Sequence, residues 1–304
     1  SGSRGGLAMD APDACGLQRM ALESTVGLNI RLTPLARQMS RKGQASLAQR
    51  SIPVMDALPR PLFARSESLA ERTTTPRHSH PWAQLSYAIS GVLRVHTERG
   101  RFLAPPQRAI LIPPGLLHEV ISSPQTEMRS LYIDQRAMPW APAHCQVLAV
   151  SPLLRELIRA FGTLPVDYDE QGADGRLAAV ILDQLRAAPE LGYSLPWPDD
   201  VRLRGICEAL YEQPDLSFSL AQWSEQLHIS EKTLTRQFQR DTGLSFRAWR
   251  QRLRLLSALP LLERGQPVTD VALACGYDST SAFIAAFGQQ FGTTPGALTR
   301  SPRP

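Results

Sequence analysis

One layout occurs twice between Ser219 and Pro295, and it constrains the chain more than any other feature. The first copy runs from Ser219 to Phe238 and the second from Pro267 to Phe287. Each reads as a short apolar-periodic helix, a tight turn, a fresh Ser N-cap and a second helix ending in Phe. These are two helix-turn-helix units joined by one long helix. A unit that reads DNA needs this layout, because its second helix must project its N-terminal half away from the core.

In the first unit, Ser230 can accept a hydrogen bond from the backbone N–H of Lys232 or Thr233 and so cap the second helix. Leu234 and Phe238 lie four apart and belong to the core. Lys232, Thr235, Arg236 and Gln239 then share the opposite face. Arg236 suits a bidentate contact to guanine, and Lys232 suits a phosphate or a guanine edge. Ser230, Thr233 and Arg240 complete the DNA-binding set of this unit. The same charges would equally suit a solvated helix face. In the second unit Ser279 caps a helix whose outward face, Thr280, Ser281, Ile284 and Ala285, carries no charge. Such a face offers apolar contact to thymine methyls and hydroxyl hydrogen bonds. Between the units, Trp249, Leu253, Leu256 and Leu259 form the apolar stripe of a connecting helix that Pro260 should kink or end early. Arg247, Arg250, Arg252 and Arg254 on that helix are either phosphate contacts or solvated surface.

Val268, Val271, Ala272, Ala274, Gly276, Tyr277, Ser279, Phe283, Phe287, Phe291, Gly292 and Pro295 stand at a spacing that resembles the signature of the AraC/XylS family of bacterial transcription regulators. The resemblance covers Val201 to Pro295. It implies a double helix-turn-helix domain whose two reading helices enter successive major grooves of an operator, with RNA polymerase as a further partner. Its physical content is plain: Ala272 is small where two helices cross, and Gly276 permits a positive-φ turn. The chain departs from the family at Ser224, where a small Ala is usual, and at His228, where Gly is usual. It departs again at Ala285 and Gly288, where many members are basic, and at Leu298, where an aromatic is usual.

From Ile52 to about Ile133 the period is that of strands. Gln84–Ser90 and Gly91–Thr97 suggest two strands joined at Ser90-Gly91, and Arg108–Ile112, His118–Ser122 and Met128–Asp134 suggest three more. Short strands broken by Gly and Pro argue for a sandwich or barrel. His78-Ser-His80-Pro-Trp-Ala-Gln84 with Gly91, then Pro113-Pro-Gly115-Leu-Leu-His118, resemble the two cupin motifs. That resemblance implies His78, His80 and His118 facing one another inside a barrel. Three neutral imidazoles and an oxygen could hold a divalent transition metal. Gln84 replaces the Glu of the metal-binding form, and an amide compensates a cation less than a carboxylate does. The same imidazoles could instead line a metal-free ligand pocket. His96 and His144 read as solvated or pocket-wall residues.

From Ser151 to Ala188 the period turns helical, on Leu153, Leu154, Leu157, Ile158 and Phe161 and then on Leu177, Val180, Ile181, Leu182 and Leu185. These helices could close the barrel, pair with a second subunit, or do both. The expected organisation is therefore α+β and multidomain. Residues 1–50 form a flexible basic tail, 51–140 a cupin-like sensor, 141–198 linker helices with a Pro-rich linker, and 199–304 the all-α double helix-turn-helix domain.

The net charge of +5 is unevenly spread, with seven basic residues against three acidic ones in residues 1–50. Local charge bears on DNA more than the total does, and residues 230–254 carry Lys232 and six arginines against Glu231 and Asp241. Cys15, Cys145, Cys207 and Cys275 show no CxxC spacing, and no leader-like or membrane-length apolar run is present. A cytoplasmic protein without a membrane partner is expected. The expected function is sequence-specific, non-enzymatic transcription regulation, switched by a small-molecule effector or metal in the barrel, with a homodimer as the assembly. Two alternatives stay open: a constitutive regulator whose barrel only dimerises, and a cupin metalloenzyme carrying a DNA-binding module.

Overall fold

The computed structural model describes residues 48–50, 52 and 55–299. Most of the expected basic tail lies outside the described residues. Its last part does not behave as a tail. β1 (Ala48–Gln49) pairs in parallel with β3 (Thr73–Thr74), and Arg50 donates from Nε to Glu67 at 3.0 Å.

After β1 come β2 (Leu62–Leu69), β3, β4 (Ala83–Ser90), β5 (Leu93–Thr97), β6 (Gly100–Ala104), β7 (Arg108–Ile112), β8 (His118–Ser122), β9 (Thr126–Ile133) and β10 (Gln146–Ala149). Two helices follow, α1 (Pro152–Phe161) and α2 (Ala173–Ala187), then a last strand β11 (Ser194–Pro196). The strands make two sheets, ordered β1-β3-β8-β5-β6-β11 and β10-β7-β4-β9-β2. The barrel thus takes β10 and β11 from the stretch expected to hold only helices and linker.

The expected pairing across Ser90-Gly91 does not occur. β4 pairs with β7 and β9, whereas β5 pairs with β6 and β8 in the other sheet. Gly91, at φ +81°, is the corner where the chain changes sheet. A Cβ there would lie 2.2 Å from Thr126 Oγ1. Strand periodicity predicts which residues share a face, but it does not identify the neighbour.

Alternation assigns the two faces of the second sheet. Leu85, Tyr87, Leu111, Leu131 and Ile133 pack outward against Leu154, Ile158, Phe161, Ile181 and Leu185 of α1 and α2. The helices therefore cover the barrel. Ser151 Oγ caps α1 by accepting from Leu154 N at 3.1 Å. Leu153 and Val180, expected on the apolar faces, point away and are 54% and 42% exposed.

The helical domain comprises α3 (Val201–Glu212), α4 (Leu220–Leu227), α5 (Glu231–Thr242), α6 (Phe246–Glu263), α7 (Val268–Ala274), α8 (Thr280–Phe291) and α9 (Pro295–Thr299). Asp200 caps α3, accepting from Arg202 N at 2.8 Å. Ser219 and Gln222 form a capping box on α4. His228 ends α4 in the left-handed region, at φ 53°. Pro260 does not end α6, which runs three residues further to Glu263. Pro260 is buried against the domain core, and tertiary burial outweighs the single backbone hydrogen bond lost so near a helix end.

Arg250 and Arg254 have roles that sequence did not suggest. Arg250 donates to the carbonyls of Phe218 and Leu216, and Arg254 to that of Pro214 at 3.1 Å. They tie the loop between α3 and α4 onto the connecting helix. Gly276, at φ +75°, passes so close to Arg254 that a Cβ would lie 2.8 Å from Nη2 and 2.9 Å from Asp215 Cα.

Gly276→Ala combines an αL alanine with that clash, and it should cost about 1–3 kcal/mol in urea unfolding. Arg250→Ala should cost about 2 kcal/mol, since two carbonyls lose a charged donor. A phosphate-contact residue would behave differently: it would leave stability unchanged and lower the salt dependence of duplex binding.

Candidate functional site: an imidazole cluster and two reading helices

His78 and His118 exchange both backbone hydrogen bonds, 2.9 Å each, as an isolated antiparallel bridge. The next turn is fixed by Gly115 N donating to His80 O at 2.8 Å, with Gly115 at φ +73°. His78 and His80 therefore sit on an extended segment ahead of β4 rather than on a strand. They still converge with His118. Ring centroids are 4.3 Å apart for His78 and His118, and 5.1 Å for His80 and His118. One nitrogen from each imidazole falls within 4.8 Å of the others.

The other nitrogens define the tautomers. Nδ1 of His78 lies 2.8 Å from Pro76 O, Nδ1 of His80 2.7 Å from Trp82 O, and Nδ1 of His118 2.8 Å from Leu116 O. A carbonyl oxygen only accepts, so each Nδ1 carries the proton. Burial holds all three imidazoles below their usual range, His118 down to about 4. Each ring is then neutral near pH 7, with its lone pair on Nε2. The Nε2 of His118 is buried without a hydrogen-bond partner.

Gln84 Oε1 lies 3.0 Å from His80 Nε2, while Gln84 Nε2 donates to Ser86 Oγ at 3.0 Å. His80 thus meets an oxygen at both nitrogens but has one proton to give. A carboxamide turned end for end would relieve that conflict, and so would a cation shared by the two atoms. Three Nε2 lone pairs and an amide oxygen, each imidazole oriented by a carbonyl behind it, fit a divalent transition metal. The structure places the four residues singled out in the sequence side by side.

The cluster opens into a pocket of about 170 Å³. Trp82 stacks on His80 with centroids 5.2 Å apart, and Tyr132 meets His80 edge-on at 6.2 Å. Arg50 also lines the pocket. Sequence reading missed these walls. Tyr132 could have been placed by alternation with Ser130 and Met128; nothing in the sequence marks Arg50. His96 belongs elsewhere: its Nε2 is 3.3 Å from Tyr211 Oη of the helical domain and its Nδ1 is 3.7 Å from Glu119. His144 is exposed.

On α5, Ser230 Oγ accepts from Thr233 N at 3.2 Å, so the cap goes to Thr233 and not Lys232. Leu234 and Phe238 are fully buried. Lys232, Thr235, Arg236, Gln239 and Arg240 are exposed. Two of them are already engaged: Gln239 donates to Gly243 O at 2.9 Å and Arg240 to Asp241 at 2.9 Å. The side chain of Thr233 is hydrogen-bonded to Ser230 at 2.9 Å. Lys232, Thr235 and Arg236 remain as the outward donors. On α8, Ser279 Oγ accepts from Ala282 N at 3.2 Å. Ser281 and Ile284 are exposed and Thr280 is half-exposed, so the uncharged face points away from the core.

Two family models match the chain: an AraC-like ligand binding domain over residues 61–188 and a helix-turn-helix domain over residues 223–301. The chain is 35% identical to the HTH-type transcriptional regulator NimR of Escherichia coli over 226 residues, 74% of this chain and 82% of that protein. It is 34% identical to the HTH-type transcriptional regulator RipA of Corynebacterium glutamicum over 34% of this chain and 31% of that one. It is 29% identical to the HTH-type transcriptional activator RhaR of Yersinia pestis over 38% of this chain and 40% of that one. An AraC-like ligand-binding domain followed by a helix-turn-helix domain, together with 35% identity to a transcriptional regulator over most of both chains, places this chain in the AraC family of transcriptional regulators.

Proposed function

We propose that the barrel senses through a divalent transition metal held by His78, His80, His118 and Gln84, and that its occupancy biases how α5 and α8 meet an operator. The observation that carries this reading is the convergence of three Nε2 lone pairs, each imidazole locked in that tautomer by a backbone carbonyl. A bound ion would supply a Lewis-acidic anchor for an effector's oxygen or nitrogen donors. The ligand set is neutral, so an anionic effector is favoured over a cationic one. Trp82 and Tyr132 present apolar and aromatic surface to the body of such a molecule. Arg50 stays at the wall, held by Glu67.

DNA reading falls first to Lys232, Thr235 and Arg236 on α5, whose side chains have no hydrogen-bond or ion-pair partner among the described residues, with Ser281, Thr280 and Ile284 of α8 adding uncharged contacts. Gln239 and Arg240 would have to leave their present partners to take part. Leu153 and Val180, exposed on α1 and α2, support a homodimer formed through that helical face. Action at a bacterial promoter implies RNA polymerase as partner and the cytoplasm as location. Among the described residues no helix is long and apolar enough to cross a membrane.

Elemental analysis of the purified chain after incubation with zinc, nickel or cobalt should find about one ion per chain in the wild type and little in His118→Ala. Operator affinity should shift between the metal-loaded and chelator-treated protein. Metal loss without that shift would leave the constitutive reading in place. Arg236→Ala should weaken specific binding by ~1–3 kcal/mol and relax base preference at one operator position. An equal loss on every sequence would instead mark Arg236 as a phosphate contact. A genome-wide footprint would supply the operator for both measurements.

A further inference from the structure

A second cavity, of about 380 Å³, lies between the outer face of β5 and β6 and the helical domain. It shares no residue with the imidazole pocket. The barrel lines it with Arg72, Arg94 and Arg101, and the end of α6 adds Arg264. Glu212 is the one carboxylate among the lining residues, so the wall carries an excess of three positive charges.

These cations are poorly compensated. Among the described residues none of the four forms an ion pair. Arg101 finds other partners: it donates to Thr97 O at 2.7 Å and lies over the Trp197 ring, 4.3 Å from its centroid. Arg72 and Arg94 have no such relief, and the Nε of each is buried without a hydrogen-bond partner. Arg94 and Arg264 act on Arg72 as like charges. Glu208 attracts Arg101 from beyond ion-pair distance. Like charges gathered in a partly desolvated cleft are unfavourable until an anion joins them.

The guanidinium fork matches carboxylate and phosphate oxygens two at a time. The opposite wall is apolar, with Leu253, Leu256 and Pro260 from α6. No residue of α5 or α8 lines the cavity, so it is not an extension of the reading face. We propose that this interdomain cavity binds a small organic anion, its carboxylate or phosphate group held by Arg72 and Arg94 with Arg264 closing from the other domain, and that the anion thereby fastens the barrel to the helical domain.

The test is calorimetry on the full chain with phenyl phosphate and with inorganic phosphate, the ionic strength held constant with sodium chloride. Saturable one-site binding is expected, tighter for phenyl phosphate, with a rise of a few °C in the unfolding midpoint near saturation. Arg72→Ala combined with Arg94→Ala should weaken binding about tenfold or more. The ligand-free double variant should be no less stable than the wild type, because two uncompensated charges are gone. Should it fail to fold, Arg72→Lys with Arg94→Lys keeps charge and bulk but loses the fork, and binding should again weaken. Arg264→Ala should reduce the affinity and the rise in midpoint together. His118→Ala should leave anion binding unchanged, which separates this site from the imidazole cluster.

Affinity unchanged in the arginine variants, or binding that disappears at matched ionic strength, would mean an adventitious ion only and would overturn the proposal. Displacement of phenyl phosphate by a random-sequence duplex, with duplex affinity lowered by the arginine substitutions, would assign the cluster to the DNA backbone and overturn it equally.

Discussion

The join between barrel and helical domain depends on how the short segment Ser194–Trp197 is satisfied. As β11 it pairs with β6 and extends one sheet of the barrel. Its Pro196 carbonyl accepts the Trp249 indole N–H at 2.7 Å, from the centre of the connecting helix. Trp197 packs on Trp249, and Tyr193 stacks on Phe291 of α8 at 4.6 Å. Pro196 has no N–H to give a further strand, which suits a sheet edge. One buried cluster therefore runs unbroken from Val120 and Met128 in the barrel, through Tyr193, Leu195 and Trp197, to Trp249 of the connecting helix and Phe287 of α8. Barrel and reader share a core, so any change in one has a packed route to the other.

That junction also explains why charge collects where it does. Docking the helical domain on β5 and β6 covers arginines that would otherwise be solvated at the barrel surface. The fold leaves Arg72 and Arg94 there with no carboxylate at ion-pair distance among the described residues, Glu212 being the one acidic group of the wall. In the imidazole pocket the balance is opposite: burial favours neutral rings, and the carbonyls behind them orient the free lone pairs inward. The two cavities are therefore chemically distinct, one rich in lone pairs and the other rich in cationic N–H donors. They lie on opposite sides of the β5–β8 sheet's alternation, since His118 and Arg94 occupy different faces of neighbouring strands.

Much of the reader was legible in the sequence. Leu234 and Phe238 four apart, Ser caps at Ser230 and Ser279, and Gly276 are local features whose physics acts within a turn or two. The positive φ of His228 follows from the family resemblance, since it stands where Gly is usual. In the barrel, strand positions could be read from alternation, and the histidine spacing anticipated the cluster. Strand partners could not be read: Gly91 looks like a hairpin turn, and only its steric contact with Thr126, distant in sequence, makes it a corner between sheets. Pro260 looked like a helix end, and burial within the core overrode it. The sequence leaves Arg250 and Arg254 as phosphate contacts or solvated surface, and only the fold brings the Leu216 and Phe218 carbonyls to Arg250.

Sequence by itself determined the two units, their caps, the charge asymmetry between the two reading faces and the family. These depend on short-range periodicity and on backbone conformations that few residues adopt. Only the tertiary structure decided the rest: which strands pair, where the imidazole lone pairs point, which reading-face side chains are already engaged, and that β11 joins barrel and reader over an arginine-lined cavity. Each depends on groups brought together from distant parts of the chain, where the cost of desolvating a charge or orphaning a hydrogen bond depends on neighbours that no local pattern names.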